Sequence, residues 1–187
     1  MPQYNKITDI KTLLHLYSNG AVFTAIDTET TGLSSTTCRI IEIGAVKFSK
    51  NGILDKYNTL INPCCPVPKE AQAINNITDA MLIDCPLFEK IAPDFLSFTN
   101  NSILIAHNAG FDIKFINAEL NRINFPSIKN NVVDTVKLSK NVFPNLPNHK
   151  LQTLANHFNF QVKNAHRAYD DAHVCMNLFI TCLNGIH

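Results

Sequence analysis

The first residues of this sequence that could do chemistry are two acids at the end of an apolar run. Asp27 and Glu29 are separated by one residue, and alternate side chains of an extended strand project from the same face. Two adjacent carboxylates repel each other unless a cation or a shared proton relieves the repulsion. An isolated pair of this kind is usually a solvated strand end, so it indicates a site only if further ligands join it.

Further acids stand at the starts of two predicted helices. Asp112 follows the apolar run 102–106, and Asp170 and Asp171 head the last helical segment. Such acids are common in a first helical turn, because free backbone amides and the helix dipole favour them. On the last helix, Asp171 shares the apolar stripe while Asp170 falls on the polar stripe with His173, so we expect Asp171 to point inward.

Together these acids predict a site for hard divalent cations. The ends of neighbouring strands meet at one rim of a sheet, which should bring Asp27 near Asp112. An all-oxygen donor set suits Mg²⁺ or Mn²⁺, whereas zinc prefers histidine or cysteine. Two such ions can stabilise the attacking water and the leaving oxygen of a phosphodiester. His166 can accept the proton of that water, since histidine ordinarily titrates near pH ~6.5. The predicted chemistry is phosphodiester hydrolysis.

A short leading helix, three strands up to residue 61, and then helices with one further strand would position these residues. Asn51-Gly52 predicts the turn of a hairpin, and the helical spacing of apolar residues returns after the proline-bounded loop 63–68. The predicted strands are 21–28, 39–49, 56–61 and 102–106, and the predicted helices are 7–17, 88–98, 111–122, 135–140, 151–158 and 169–183. This order predicts an α/β fold with a mixed sheet, in which helices flank an antiparallel meander and parallel strands.

Length and composition limit the number of domains and the class of protein that the sequence can encode. The chain has 187 residues, of which 45% are hydrophobic and 17% charged, so it can bury a core of its own. No repeat or Gly/Ser linker divides it, and we expect one domain over 1–187, with a leading helix in 1–20 and a catalytic core in 21–183.

A net charge of +1 disfavours coating of long nucleic acid, but permits a compact site that acts on a chain end. No apolar run approaches the roughly 20 residues of a membrane span, and no export signal is present, so a cytoplasmic protein is expected.

The cysteines do not indicate a metal or disulfide site. The six cysteines include no C-x-x-C pair, so neither a disulfide framework nor a zinc knuckle is expected. Cys175 and Cys182 fall on the apolar stripe of the last helix and should pack in the core. Cys64 and Cys65 lie in the proline-bounded loop.

Three segments in order along the chain resemble the exonuclease motifs of the DEDDh (DnaQ-like) family, above all those of the proofreading epsilon subunits of bacterial DNA polymerase III. They are Asp27-Thr28-Glu29-Thr30-Thr31-Gly32-Leu33, His107-Asn108-Ala109-Gly110-Phe111-Asp112 and His166-Arg167-Ala168-Tyr169-Asp170-Asp171. Intervening stretches such as Ile40–Val46 match as well. The resemblance extends from about Val22 to Leu183.

The resemblance implies a ribonuclease H-like fold and metal-dependent removal of nucleotides in the 3′→5′ direction. It implies a single-stranded or frayed 3′ end of DNA as substrate, a bacterial cytoplasmic location and a polymerase subunit as a partner. The implied ligands of two divalent cations, Mg²⁺ or Mn²⁺, are Asp27, Glu29, Asp112 and Asp171, with His166 as general base. The implied contacts to the last nucleotides are Thr30, Leu33, Asn108 and Phe111. Core packing is the alternative role for Phe111 and Leu33.

Two departures from the family pattern concern substrate and partner. Asn75-Asn76 stands where the family commonly has His-Gly, and the chain ends at His187, just past the last helix, without the segment by which epsilon subunits reach their polymerase. An exoribonuclease that trims RNA ends is the nearest alternative, since no reader of a 2′-hydroxyl can be named. A catalytically inactive binding module is the other alternative, since a fold alone does not fix activity.

Overall fold

The centre of the molecule is a five-stranded mixed sheet. The computed structural model describes residues 4–162 and 165–185. The last two residues of the sequence, Ile186 and His187, therefore lie outside the described residues. The strands are β1 Phe23–Thr30, β2 Ile40–Ser49, β3 Gly52–Leu60, β4 Ile103–Ala106 and β5 Val132–Asp134, in the order β3-β2-β1-β4-β5. The first three pair antiparallel, whereas β4 is parallel to β1 and β5 is parallel to β4. The predicted mixed sheet is confirmed.

Helices cover both faces of this sheet. They are α1 Ile10–Ser18, α2 Lys69–Asn75, α3 Asp79–Leu82, α4 Phe88–Thr99, α5 Gly110–Arg122, α6 Thr135–Val142, α7 Leu151–His157 and α8 Ala168–Asn184. Because successive strand residues face opposite sides, Ile26 packs with α4 and α5, whereas Phe23 and Ala25 pack with α1, α6 and α8. The acids at the end of β1 therefore lie between two packed apolar layers, one on each face of the sheet.

The predicted hairpin forms at the predicted place. Its turn is Lys50–Asn51, and Gly52 follows with φ +110° and pairs with Ser49. That φ is unfavourable for a residue with a Cβ, which explains why glycine stands here. Strand β3 therefore starts at Gly52, four residues before the predicted start.

Three short elements were not predicted from the sequence. β5 has only 3 residues, α2 has 7 and α3 has 4, and segments this short show too little periodicity to be recognised. β1 also extends to Thr30, two residues beyond the predicted end, so that Asp27 and Glu29 both lie within the strand.

Helix α8 lies directly against β2. A Cβ on Gly44 would overlap the backbone of Ala168 and Tyr169, so only glycine permits this close approach. The buried Glu42 carboxylate accepts hydrogen bonds from the Ala168 amide at 3.0 Å and from Arg167 Nη2 at 2.7 Å. These contacts fix the start of α8 against the sheet.

The core residues of α8 follow the predicted phase. Ala168, Asp171, Ala172, Cys175, Phe179 and Cys182 are all buried, and the six cysteines have free thiols. Among the residues that the structure describes, no helix combines the length and apolar character needed to cross a membrane.

Candidate active site

A cavity of about 480 Å³ lies where the end of β1, the turn after β4 and the starts of α5, α7 and α8 meet. All four predicted metal ligands and His166 line it. The lining residues are Asp27, Thr28, Glu29, His107, Asn108, Phe111, Asp112, Lys150, Leu151, Gln152, Thr153, His166 and Asp171. Residues far apart in the sequence are therefore brought to one place.

The carboxylates approach this cavity from both faces of β1. Carboxylate oxygens of Asp27, Glu29 and Asp171 all lie within 4.8 Å of one another. Asp112 is supplied by α5, and its Oδ1 accepts a 2.8 Å hydrogen bond from the hydroxyl of Thr28. Because Thr28 points away from Asp27 and Glu29 along the strand, β1 contacts the acids of both helices.

Burial and crowding raise the pKa values of these acids. The pKa of Glu29 is raised to about 8 by burial and then by the charges of Asp171 and Glu42. Burial, followed by the charge of Asp112, raises the pKa of Asp27 well above its usual range. Burial also raises the pKa of Asp112 and of Asp171, although hydrogen bonds from Thr28 and Gln152 oppose it. The cluster therefore binds protons readily and would release them to a cation.

This donor set fits a hard divalent metal ion. It presents only carboxylate oxygens, from at least three side chains within bonding reach of a common centre, which is the ligand chemistry of Mg²⁺ and Mn²⁺. An ion would also remove the repulsion that raises the pKa values. The residues present therefore fit the metal that the sequence predicts.

Two donors orient the Asp171 carboxylate. Gln152 Nε2 donates to Oδ1 at 3.0 Å, and the backbone amide of His166 donates to Oδ2 at 3.1 Å. Asp171 has only 5% of its surface exposed and lines the cavity, whereas Asp170 does not belong to the cavity lining. The structure thus places the two adjacent aspartates as the helical phase predicts.

One of the two histidines that line the cavity is hydrogen-bonded through both ring nitrogens, and the other is exposed. His107 Nε2 lies 2.9 Å from the carbonyl oxygen of His149, and Nδ1 lies 2.9 Å from the Thr135 hydroxyl. Burial lowers the pKa of His107, so the ring is neutral, with Nε2 donating and Nδ1 accepting. His166 is exposed at the cavity and has φ +60°. Of the two side chains, His166 is placed to exchange a proton with a bound molecule.

The four predicted nucleotide contacts are placed differently. Asn108 has an exposed side chain and φ +65°, and Phe111 is half-buried with its ring centroid 4.7 Å from that of Phe115. Both line the cavity, so Phe111 packs in the core and also faces the site. Thr30 is buried with its hydroxyl donating to the carbonyl of Gly32 at 2.7 Å, and Leu33 is 88% exposed. Neither Thr30 nor Leu33 belongs to the cavity lining.

Three contributors to the site were not identified from the sequence. Gln152 and Lys150 line the cavity, but no motif marks them. Buried Asn75 accepts the amide of Ile77 through Oδ1, and its side chain hydrogen-bonds to Glu29. In the sequence, Asn75 stands out only because Asn75-Asn76 replaces the His-Gly that is common in the family. That difference indicates a change in substrate contact, whereas the structure gives Asn75 the carboxylate of Glu29 as its partner.

The chain belongs to the RNase T exonuclease family, whose model matches residues 24–179. Among its relatives is the DNA polymerase III subunit epsilon of Treponema pallidum, which is 48% identical over 163 residues that cover 86% of this chain and 76% of that protein. The epsilon subunit of Aquifex aeolicus is 34% identical, with 88% and 81% covered. A PolC-type DNA polymerase III of Caldanaerobacter subterraneus is 39% identical, but the match covers 88% of this chain and only 12% of that protein.

Solved structures show the same fold. Exonuclease X in complex with 5′-overhanging duplex DNA has a TM-score of 0.72 and 28% identity, with 87% of this chain and 91% of that chain covered. The nuclease domain of 3′hExo, a DEDDh family member bound to rAMP, has a TM-score of 0.77 at 15% identity, with 89% and 94% covered. The fold is ribonuclease H-like, as the motifs implied, and the chain is a 3′→5′ exonuclease of a metal-dependent family.

Proposed function

We propose that this enzyme hydrolyses the terminal phosphodiester at a single-stranded or frayed 3′ end of DNA and releases nucleoside monophosphates, in proofreading or repair. The observation that carries the proposal is the convergence of four carboxylates and an accessible histidine in one cavity. The epsilon relatives are named as DNA polymerase III subunits, and the Exonuclease X structure holds DNA. These names support DNA as the substrate.

The acidic cluster would hold two divalent cations, Mg²⁺ or Mn²⁺. Asp27, Glu29 and Asp171 supply the mutually close oxygens, and Asp112 supplies the fourth carboxylate beside Asp27. When bound, the ions would activate a water molecule and stabilise the leaving 3′ oxygen. The protein contributes the oxygen ligands, and the hydrogen bonds from Thr28 and Gln152 orient two of them.

The remaining cavity residues would act on the proton and on the substrate. His166 takes the proton of the attacking water as general base, since its side chain is exposed at the cavity. Asn108 and Phe111 hold the terminal nucleotides, where stacking of a base on an aromatic ring contributes about 1–3 kcal/mol. Thr30 and Leu33 would join these contacts when a strand is bound.

The proposal extends to the whole chain and its setting. Residues 1–187 would act as one exonuclease domain in the bacterial cytoplasm, with a DNA polymerase subunit as a partner. The names of the epsilon relatives support this partnership.

Release of mononucleotides from matched single-stranded DNA and RNA oligomers tests the proposal. We expect release from the 3′ end of DNA with Mg²⁺ or Mn²⁺ and none with excess chelator. Asp171→Asn should lower kcat by about 10³-fold or more, because a lost metal ligand removes several kcal/mol of transition-state stabilisation. The matched Asp170→Asn variant should keep most activity, because Asp170 is not in the cavity lining.

Other outcomes would overturn the proposal in recognisable ways. Preferential cleavage of RNA would support the exoribonuclease. Absence of release from both oligomers would support an inactive binding module, although all five predicted catalytic positions are filled. Full activity in excess chelator would reject the metal-ion mechanism.

A further inference from the structure

The segment that precedes α1 extends the sheet beyond β5. The amide of Val132 donates to the carbonyl of Asn5 at 2.8 Å, and the amide of Ile7 donates to the carbonyl of Val132 at 3.0 Å, so the segment lies parallel to β5. It stands before residues 24–179, which the family model matches. With strands about 4.8 Å apart, it lies about 14 Å from β1 along the rim that carries the 480 Å³ cavity lined by Asp27, Asp112 and His166, which we name the catalytic cavity.

A second cavity, which we name the β5 cleft, opens on the same rim. It has a volume of about 230 Å³ between this segment, the end of β5 and α6. Its lining residues are Tyr4, Lys6, Ile7, Thr8, Ala109, Val132, Val133, Asp134, Lys137, Leu138, Lys140 and Asn141. Since ligands of open α/β sheets bind at the carboxyl ends of parallel strands, the place of this cleft is one where a ligand is expected.

The β5 cleft concentrates positive charge in a chain whose net charge is only +1. Lys6, Lys137 and Lys140 line it, and among the described residues no carboxylate forms an ion pair with any of them. Asp134 is the acidic residue of the lining, and its Oδ1 accepts the amides of Val136 at 3.0 Å and of Asn108 at 3.3 Å. These backbone amides therefore compensate the negative charge of Asp134 at the start of α6. Because three lysines line the cleft, it is suited to bind an anion.

The β5 cleft and the catalytic cavity meet at the turn after β4. His107 and Asn108 line the catalytic cavity, and the next residue, Ala109, lines the cleft. The hydroxyl of Tyr4 lies 3.9 Å from the position that a Cβ would take on Gly110, and Lys6 Nζ lies 5.5 Å from the centre of the Tyr4 ring. The lysine-lined cleft and the catalytic cavity are therefore neighbours at this turn.

We propose that the β5 cleft binds the phosphate backbone of the single strand upstream of the terminal nucleotide. This inference rests on the proposed function and deepens it, because it assigns the leading segment to the substrate interface. Phosphate contacts position a strand without reading its sequence, which suits an enzyme that must hold any 3′ end. Lys6, Lys137 and Lys140 are the positioning residues of this interface.

The test compares substrates with and without an upstream strand. The variant K6Q/K137Q removes two of the charges, and K90Q/K129Q is the matched control, since Lys90 and Lys129 line neither the cleft nor the catalytic cavity. The short substrate is the p-nitrophenyl ester of thymidine 5′-monophosphate, and the long one is an oligothymidylate of about 12 nucleotides, which carries upstream phosphates. KM and kcat are measured for each at several salt concentrations.

For the long substrate we expect K6Q/K137Q to raise KM several-fold with kcat unchanged. The slope of log KM against log salt concentration should fall by about 0.7 for each lysine that contacts a phosphate of a single strand. The short ester should be hydrolysed like the wild type by both variants. A KM and a salt slope equal to those of K90Q/K129Q would reject the cleft as an interface, as would an equal loss on the short ester. Failure of the wild type to cleave either substrate would instead reject the proposed function.

Discussion

At the scale of single residues, neighbouring hydrogen bonds decide which histidine is free to act. His107 and His166 both line the catalytic cavity, but Thr135 and the carbonyl of His149 occupy both ring nitrogens of His107. His166 is exposed, and its backbone amide holds Asp171. The same residue type thus supports the structure in one place and can exchange protons in the other.

Replacing each histidine should separate these roles. His166→Ala should lower kcat by about 10²- to 10⁴-fold with little change in KM or melting temperature, because it removes only the general base. His107→Ala should lower the stability by about 1–3 kcal/mol, because it removes the hydrogen bonds of His107 to the Thr135 hydroxyl and to the partly buried carbonyl of His149. Steady-state kinetics with saturating Mn²⁺ and urea unfolding measure the two effects. If His166→Ala keeps kcat within about twofold of the wild type, His166 is not the general base.

At the scale of elements, the three arginines of the sequence all pair with a buried glutamate, and the pairs of Arg39 and Arg167 connect separate elements. Arg39 and Arg122 bind Glu119 on α5, and Arg39 lies in the segment between β1 and β2. Arg167 binds Glu42 on β2 and so fixes the start of α8. Because Asp112 and Asp171 are carried by α5 and α8, these ion pairs help to determine where these two carboxylates lie.

The pair of Arg167 and Glu42 should respond unequally to the loss of either partner. Arg167 is 32% exposed and Glu42 only 1%. Arg167→Ala would leave a buried carboxylate without its cation and should destabilise the fold by about 3–5 kcal/mol. Glu42→Gln keeps an acceptor for the Ala168 amide and leaves a partly solvated arginine, so it should destabilise by less, about 1–3 kcal/mol. Urea unfolding of both variants checks this order, and the opposite order would mean that the buried carboxylate does not depend on Arg167 for its stabilisation.

The sequence predicts elements with a long periodic pattern better than contacts between elements. The stripe of α8 correctly distinguishes the placement of Asp171 from that of Asp170, and the alternation along β1 correctly places Asp27 with Glu29. β5 has only 3 residues, which is too short for alternation to be visible. The bond of Asn75 to Glu29 joins segments 46 residues apart in number, and such contacts depend on tertiary packing.

At the scale of the whole molecule, the catalytic cavity reduces the stability of the metal-free fold. Burial, followed by repulsion from neighbouring carboxylates, raises the pKa of Glu29 from 4.5 to about 8. Between these two values the folded state binds more protons than the unfolded state, so the free energy of unfolding falls as pH rises. The raised pKa values of Asp27, Asp112 and Asp171 act in the same direction.

The metal-free protein should therefore lose stability from about pH 5 to about pH 8, and a bound divalent cation should reverse the loss. Mg²⁺ or Mn²⁺ at about 100 times its Kd should stabilise the fold by about 2.7 kcal/mol, which raises Tm by about 5–10 °C for a chain of this size. The shift should grow with pH, because fewer protons then compete for the carboxylates. Asp27→Asn is the control: with one carboxylate fewer, its metal-free stability should depend less on pH and its Tm should respond less to the ion. A metal-free stability that rises over this pH range, or an equal metal response in the variant, would show that the four carboxylates do not share one cation site.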